Sequence, residues 1–95
     1  MNKNNDFQKY LRENLKDVEF KKYFDEYGKQ LEIAYQILQL RKKTKMSQKE
    51  LAEKIGTTQS NIARMEAGQQ NFTTNTLNKI ASAFNLDLQV NFVKN

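Results

Sequence analysis

The chain has 95 residues, of which 38% are hydrophobic and 28% are charged, and its formal net charge is +5 at pH 7. This length supports one modest hydrophobic core and excludes a large multidomain enzyme. The absence of Cys and His excludes zinc fingers, disulfide scaffolds, thiol nucleophiles and imidazole bases, so we expect neither an enzyme nor a cofactor. The longest apolar run is the three residues Ile33 to Tyr35, so we expect no membrane span, no signal peptide and a cytoplasmic location.

The first part of the chain contains helical patterns. Apolar side chains recur at helical spacing in residues 7–18 and again in residues 20–31. Gly28 is predicted to end the second of these helices, and a third helix is expected from about Lys29 to Lys43. The sequence therefore predicts two N-terminal helices ahead of a further helical domain.

The segment Met46 to Gly68 has the sequence MSQKELAEKIGTTQSNIARMEAG. Ser47 and Glu50, three positions apart, form a capping box, which predicts that a helix begins at Ser47. Gly56 is predicted to end this helix, since glycine adopts the left-handed conformation that helix ends favour.

A second short helix is expected directly after this turn. Thr57 or Thr58 can cap it, and Ile62 and Met65 lie about one turn apart on the same side. Two short helices that are joined by a tight turn containing glycine form a helix-turn-helix.

This segment resembles the helix-turn-helix of Xre-type, lambda-repressor-like DNA-binding domains. The resemblance includes the Gln after the cap, the Leu-Ala pair, the Gly of the turn, the Thr-Gln that opens the second helix and its Glu-x-Gly ending. It continues through Leu77, Ile80, Ala81 and Phe84, and covers about residues 33–86. It implies an all-α, lambda-repressor-like bundle, with the DNA-binding domain in residues 29–86.

Three further stretches are similar to the HigA-type antitoxins of toxin–antitoxin operons: LKDVEFKKYFDEY, IAYQILQLRKK and LDLQVNF. This similarity implies an antitoxin that binds and neutralises a basic, RelE-like (HigB-type) ribonuclease toxin. It also implies a dimer that represses its own operon by binding palindromic double-stranded operator DNA. Two alternatives remain: a stand-alone phage-type repressor without a toxin, and a protein-protein adaptor with the same fold.

The second short helix is the expected recognition helix. With its apolar side chains facing inward, a helical wheel points Ser60, Ala63, Arg64 and Ala67 away from the core and places Gln59 beside them. The predicted base-contacting residues are Gln59, Ser60, Ala63 and Arg64. Gln59 can make two hydrogen bonds to adenine and Arg64 two to guanine, while Ala63 can touch a thymine methyl group. The resemblance adds that residues at the positions of Gln59, Ser60 and Arg64 commonly contact bases. The alternative is a face that is merely solvated.

Phosphate contacts are expected from the helix N-termini and loops around the recognition helix. Gln48 follows a cap, and the resemblance implies that it binds phosphate and supports Gln59. Five weaker candidates lie next to Gln48 or in the loop and helix that follow the recognition helix: Lys49, Asn71, Thr74, Asn75 and Lys79. The loop from Gln69 to Asn75 lacks the basic residues that many similar proteins have there.

The resemblance assigns a structural role to Arg41 and Glu66. Arg41 aligns with an arginine that pairs with a glutamate at the position of Glu66, which joins two helices of the domain. The neighbouring Lys42, Lys43 and Lys45 are then expected to attract DNA without contacting bases.

In the C-terminal segment, residues 87–95, the spacing of apolar residues changes from a helical pattern to strict alternation. Leu86, Leu88, Val90 and Phe92 alternate with mostly polar residues, which predicts a short β-strand. Pairing of this strand with its copy would use Leu88, Val90 and Phe92 to form a homodimer. A dimer also suits DNA half-sites about 34 Å apart. The alternatives are a strand added to a partner's sheet and a disordered tail.

Residues 1–28 are predicted to bind the toxin. Residues 1–35 contain seven basic and seven acidic side chains, whereas residues 36–95 contain nine basic and four acidic ones, which favours two surfaces with different partners. The expected toxin-binding residues are aromatic or acidic: Tyr10, Asp17, Glu19, Phe20, Tyr23, Phe24, Asp25, Glu26 and Tyr27. Two alternatives without a binding role remain. In one the extension only completes the hydrophobic core, and in the other the lysines only keep the surface of the domain solvated.

Overall fold

The computed structural model describes residues 7, 9, 12, 13 and 18–94, and at residues 18, 20 and 23–27 it describes the backbone only. Four helices follow one another in this part of the chain: α1 (Val18–Lys43), α2 (Gln48–Ile55), α3 (Gln59–Glu66) and α4 (Thr74–Ala83). Residues 7, 9, 12 and 13 also have helical backbone. No strand occurs among the described residues, and the predicted all-α helix-turn-helix fold is confirmed.

Helix α1 is continuous over 26 residues and passes through Gly28. The prediction that Gly28 ends a helix, with a new helix from Lys29, is therefore wrong. A glycine inside a helix costs only about 1 kcal/mol relative to alanine, and tertiary packing can supply this. The turns after Gly28 bury Leu31, Ala34 and Ile37 at helical spacing, so packing favours an unbroken helix.

The end of α1 uses a left-handed residue. Lys45 has a φ of 56°, and its backbone N–H donates to the carbonyl of Lys42 at 3.2 Å. The N–H of Met46 then donates to the carbonyl of Arg41 at 2.9 Å. These bonds satisfy carbonyl groups that the helix end leaves open, and three basic residues in the last turn suit the negative end of the helix dipole.

Helix α2 begins and ends as the sequence predicts. The Ser47 hydroxyl accepts a hydrogen bond from the Glu50 N–H at 3.0 Å, and the Ser47 N–H donates to the Glu50 carboxylate at 3.2 Å. The capping box is thus complete. At the other end Gly56 is left-handed, with a φ of 77° and a ψ of 39°.

The same kind of cap precedes α3 and α4. The hydroxyl of Thr58 accepts from the N–H of Asn61 at 3.1 Å, and the hydroxyl of Thr73 accepts from the N–H of Thr76 at 3.1 Å. A threonine in this role satisfies one of the free N–H groups of the first helical turn, which fixes where each helix begins.

One hydrophobic core joins all four helices. Leu51 on α2 and Ile62 on α3 are fully buried at its centre. Around them lie Ile37 of α1 and Ile80 of α4, and Phe84 closes the core just after α4. The core thus fixes α3 to the other helices through its inner side only.

The predicted C-terminal strand is absent: residues 86–94 have no regular secondary structure. A strand needs a neighbour for its backbone hydrogen bonds, and no other segment of the described chain offers one. Four apolar side chains of this tail remain exposed: Leu86, Val90, Phe92 and Val93. The strand prediction is therefore wrong for the isolated chain, since an alternating pattern alone does not supply a pairing partner.

The N-terminal extension contacts the helical domain through aromatic rings. The rings of Phe7 and Tyr35 lie with centroids 5.5 Å apart and planes tilted by 49°. This geometry is favourable for an aromatic pair. At least one aromatic side chain of the extension therefore packs on α1. No helix in the described part of the chain is long and apolar enough to cross a membrane.

Candidate nucleic-acid interface

The turn between α2 and α3 determines where the outer face of α3 points. The left-handed Gly56 lets the chain reverse direction within a few residues, and the N–H of Thr57 donates to the carbonyl of Ala52 at 2.9 Å. Thr58 then caps the N-terminus of α3, which starts at the next residue. Because Ile62 and Met65 are buried on one side of this two-turn helix, its opposite side faces solvent.

The structure brings the predicted base-contacting residues together on that outer side. All four are exposed: Gln59, Ser60, Ala63 and Arg64. Gln59 is the first residue of the helix, and Arg64 lies in its last turn. An amide and a guanidinium on one free helix face offer the donor and acceptor groups that recognise bases in a major groove.

Most predicted phosphate-contacting residues are also accessible. Five of them are exposed: Lys49, Asn71, Thr74, Asn75 and Lys79. Thr74 and Asn75 are the first two residues of α4, directly after the Thr73 cap, so free N–H groups lie beside them. Asn71 also accepts a hydrogen bond from the side chain of Gln30 on α1, which ties the loop before α4 to the bundle.

Gln48 has an intramolecular partner. It is half-buried, and its Nε2 donates to Oε1 of Glu66 at 3.1 Å. The sequence predicts a phosphate contact for Gln48 and support of Gln59. A glutamine amide carries a second N–H and an oxygen, so the bond to Glu66 leaves groups for another contact.

Arg41 and Glu66 meet between α1 and α3. Nε of Arg41 lies 2.7 Å from Oε2 of Glu66 and Nη2 lies 2.9 Å from Oε1, while Nη1 donates to the carbonyl of Met46 at 3.2 Å. The hydrogen bonds and the charge of Glu66 raise the pKa of Arg41 above its usual value, although partial burial opposes this. Both side chains are therefore engaged in holding α3.

Asn61, which no sequence pattern marks as a functional residue, links the turn before α3 to the loop after it. Its Nδ2 donates to Oγ1 of Thr57 at 2.9 Å, and its Oδ1 accepts from Nε2 of Gln70. The contact with Thr57 joins residues four positions apart, so it could have been predicted from the local sequence. The contact with Gln70 could not, because it depends on the path of the loop after α3.

The remaining predicted residues are placed only in part. Glu19 is exposed, whereas the side chains of the other predicted toxin-binding residues lie outside the described part of the structure: Tyr10, Asp17, Phe20, Tyr23, Phe24, Asp25, Glu26 and Tyr27. Of the predicted dimer residues, Val90 and Phe92 are exposed and Leu88 is half-buried.

Known proteins share this domain. Residues 37–91 match the helix-turn-helix family (HTH_3). A high-resolution crystal structure of the restriction-modification controller protein C.AhdI from Aeromonas hydrophila has a similar fold, with 27% sequence identity and a TM-score of 0.62. The similarity covers 66% of this chain and 91% of that chain. No curated protein sequence matches the chain.

Proposed function

The chain belongs to the helix-turn-helix family (HTH_3), and from this premise we propose that it represses transcription by binding palindromic operator DNA as a homodimer. The observation that carries the proposal is the exposed outer face of α3, where Gln59, Ser60, Ala63 and Arg64 lie side by side. The likeness to a restriction-modification controller supports a role in gene control. Lys49 on α2 and Lys79 on α4 are exposed and add the positive charge that DNA binding needs.

Homodimer formation is part of this proposal. One two-turn helix contacts only a few base pairs, and two copies that read half-sites about 34 Å apart multiply both affinity and specificity. The exposed Val90 and Phe92 support pairing of two C-terminal tails, because burial would remove their apolar surface from water. In the dimer the two tails would pair with each other as strands.

The proposal is tested by selecting duplexes from a randomised DNA pool with the purified full-length chain. We expect enrichment of an inverted repeat whose half-sites are one helical turn apart. A reporter gene placed behind the enriched sequence should be repressed by the chain and not by an Arg64→Ala variant. A pool that stays random after repeated selection would contradict the proposal, and enrichment of a single half-site would contradict the homodimer.

A second candidate function is that of an antitoxin. The observation that favours it is that residues 1–36 precede the family match, so they are additional to the matched helix-turn-helix segment. Residues 1–36 have balanced charge and hold seven of the ten aromatic residues, which suits a protein partner. The partner would be a basic, RelE-like ribonuclease.

The neighbouring gene separates the two candidates. A small basic reading frame beside this gene should yield a protein that co-purifies with the full chain and loses its ribonuclease activity in the complex. Deletion of residues 1–27 should abolish both effects and leave operator affinity within about tenfold, provided that the helical domain stays folded. Capture of the toxin by the deleted chain would rule out the extension as the binding surface, and a lone gene would favour a stand-alone repressor.

A further inference from the structure

We propose that Asn61 is a positioning residue for DNA recognition: it fixes the rotation of α3 about its own axis through hydrogen bonds to Thr57 and Gln70. The proposal rests on the proposed DNA-binding function and adds a residue that need not contact DNA itself.

The apolar contact of α3 with the rest of the domain is small. The helix has eight residues, which gives it a length of about 12 Å, and its fully or nearly buried side chains are Ile62 and Met65. Apolar contacts are not directional, so two of them on one side leave rotation about the helix axis weakly determined. Hydrogen bonds at the edges of the apolar side can supply the missing constraint.

Asn61 lies at the edge of the apolar side of α3. At about 100° per residue, Asn61 lies about 40° from Met65 and about 60° from Arg64 on the helical wheel. It therefore occupies the edge between the core side and the exposed side that carries Arg64. On the opposite edge Glu66 is held by Arg41 and Gln48. α3 is thus fastened by polar contacts along both edges.

The Asn61 side chain joins the turn before α3 to the loop after α3. Its Nδ2 donates to Thr57 in the turn before α3, at 2.9 Å, and its Oδ1 accepts from Gln70 in the loop after α3. Its backbone N–H is used by the Thr58 cap. One half-buried residue thus connects the turn, the helix and the loop, which are the three segments that a DNA duplex would meet together.

The loop contact extends the effect beyond α3. Gln70 is bound by Asn61, and the next residue, Asn71, is bound by Gln30 of α1. The loop before α4 is therefore held from two helices at adjacent positions. Since the loop contains no basic residue, its exact path matters more than its charge for contact with a phosphate.

The test compares Asn61→Ala and Gln70→Ala with the control Gln39→Ala, which removes an exposed amide from α1. The probe is the duplex that the wild-type chain enriches from a randomised pool, measured against a scrambled duplex of equal length. We expect Asn61→Ala to lose about tenfold of the preference for the enriched duplex, Gln70→Ala to lose about threefold, and the control to lose nothing. Affinity for the scrambled duplex and its salt dependence should stay unchanged.

Two further results decide between positioning and other roles. The double variant should lose no more preference than Asn61→Ala alone, because both changes remove one shared contact. A loss with Asn61→Ala that Gln70→Ala does not reproduce, or a loss of the same size on both duplexes, would overturn the proposal. If Asn61→Ala does not fold, Gln70→Ala and Thr57→Val carry the test, and unchanged preference in both would overturn it. Failure of the wild-type chain to enrich any duplex would instead overturn the proposed function.

Discussion

Arg41 and Glu66 form a two-point ion pair that joins the last turn of α1 to the last residue of α3. The side chains are only 17% and 6% exposed, and Glu66 also accepts from Gln48 of α2. A carboxylate with this little water access depends on its partners for charge compensation. The pair therefore couples the stability of the domain to the placement of the recognition helix.

We predict that Arg41→Met destabilises the chain by about 3 kcal/mol, because it leaves the Glu66 carboxylate buried without its cation. Urea unfolding followed by circular dichroism measures this change. The double variant Arg41→Met with Glu66→Leu should recover part of the loss, since no unpaired charge remains. A loss below about 1 kcal/mol for Arg41→Met would show that the pair acts as an ordinary surface contact.

The same pair gives a prediction for alkaline pH. Glu66 raises the pKa of Arg41, so Arg41 adds stability that is complete below its unfolded pKa and is lost only as pH rises through the higher folded value. Because both values lie far above neutrality, the difference in unfolding free energy between wild type and Arg41→Met should stay constant from pH 7 to about pH 10. A difference that shrinks across this range would contradict the assignment.

The glycines of the two turns give a matched pair of variants. Gly56 and Gly68 both have positive φ, at 77° and 72°. An added Cβ at Gly56 meets nothing within 4 Å, whereas at Gly68 it lies 2.6 Å from Cδ2 of Leu31. We expect Gly56→Ala to cost about 1 kcal/mol from backbone strain alone and Gly68→Ala about 2–3 kcal/mol. Equal losses in denaturant unfolding would show that Leu31 moves aside freely.

Arg64 and Lys49 should differ in the kind of binding they support. We predict that Arg64→Ala costs about 1–3 kcal/mol on the enriched duplex and relaxes the preference at one base pair, since the side chain is exposed on α3. Lys49→Ala should weaken binding to all duplexes alike and reduce the salt dependence. Gel-shift titrations on single-base variants of the duplex compare the two. Equal losses on specific and scrambled DNA for both variants would remove Arg64 from base recognition.

The C-terminal tail should control the oligomeric state. Replacing Val90 and Phe92 by Ser is expected to leave a folded monomer, because the core ends at Phe84, and to weaken operator binding by about tenfold or more. Replacing Gln89 and Asn91 by Ser in the same tail is the control and should leave the dimer intact. Sedimentation equilibrium separates these outcomes. A Val90 and Phe92 variant that still sediments as a dimer would place the interface elsewhere.

The parts of the fold that local rules govern could be predicted from the sequence. The Ser47–Glu50 capping box and the left-handed Gly56 depend on residues within a few positions of each other, and the structure confirms both. The inward side of α3 followed from the spacing of Ile62 and Met65. Within the site, the exposed face of α3 could be predicted for the same reason.

The parts of the fold that depend on contacts between residues distant in sequence could not be predicted from the sequence. Gly28 has a low helix propensity, but burial of the following turns overrides it. The tail has a strand pattern, but no other segment in the described part of the chain is a strand that could pair with it. The contact between Asn61 and Gln70 depends on how the loop after α3 returns to the helix, which neither periodicity nor capping specifies.

Because α1 is unbroken, one helix connects the N-terminal extension to the ion pair that holds the recognition helix. Its 26 residues span about 39 Å, from Val18 in the N-terminal extension to the turn that carries Arg41. The same helix carries Arg41, which binds Glu66 on the recognition helix, so a displacement of α1 would act on α3 through this ion pair. A protein that binds the beginning of α1 and a duplex that binds α3 would then act on two helices that this ion pair connects. If binding of the protein changes the affinity of the chain for DNA by some factor, binding of DNA must change the affinity for the protein by the same factor, because such linkage is reciprocal.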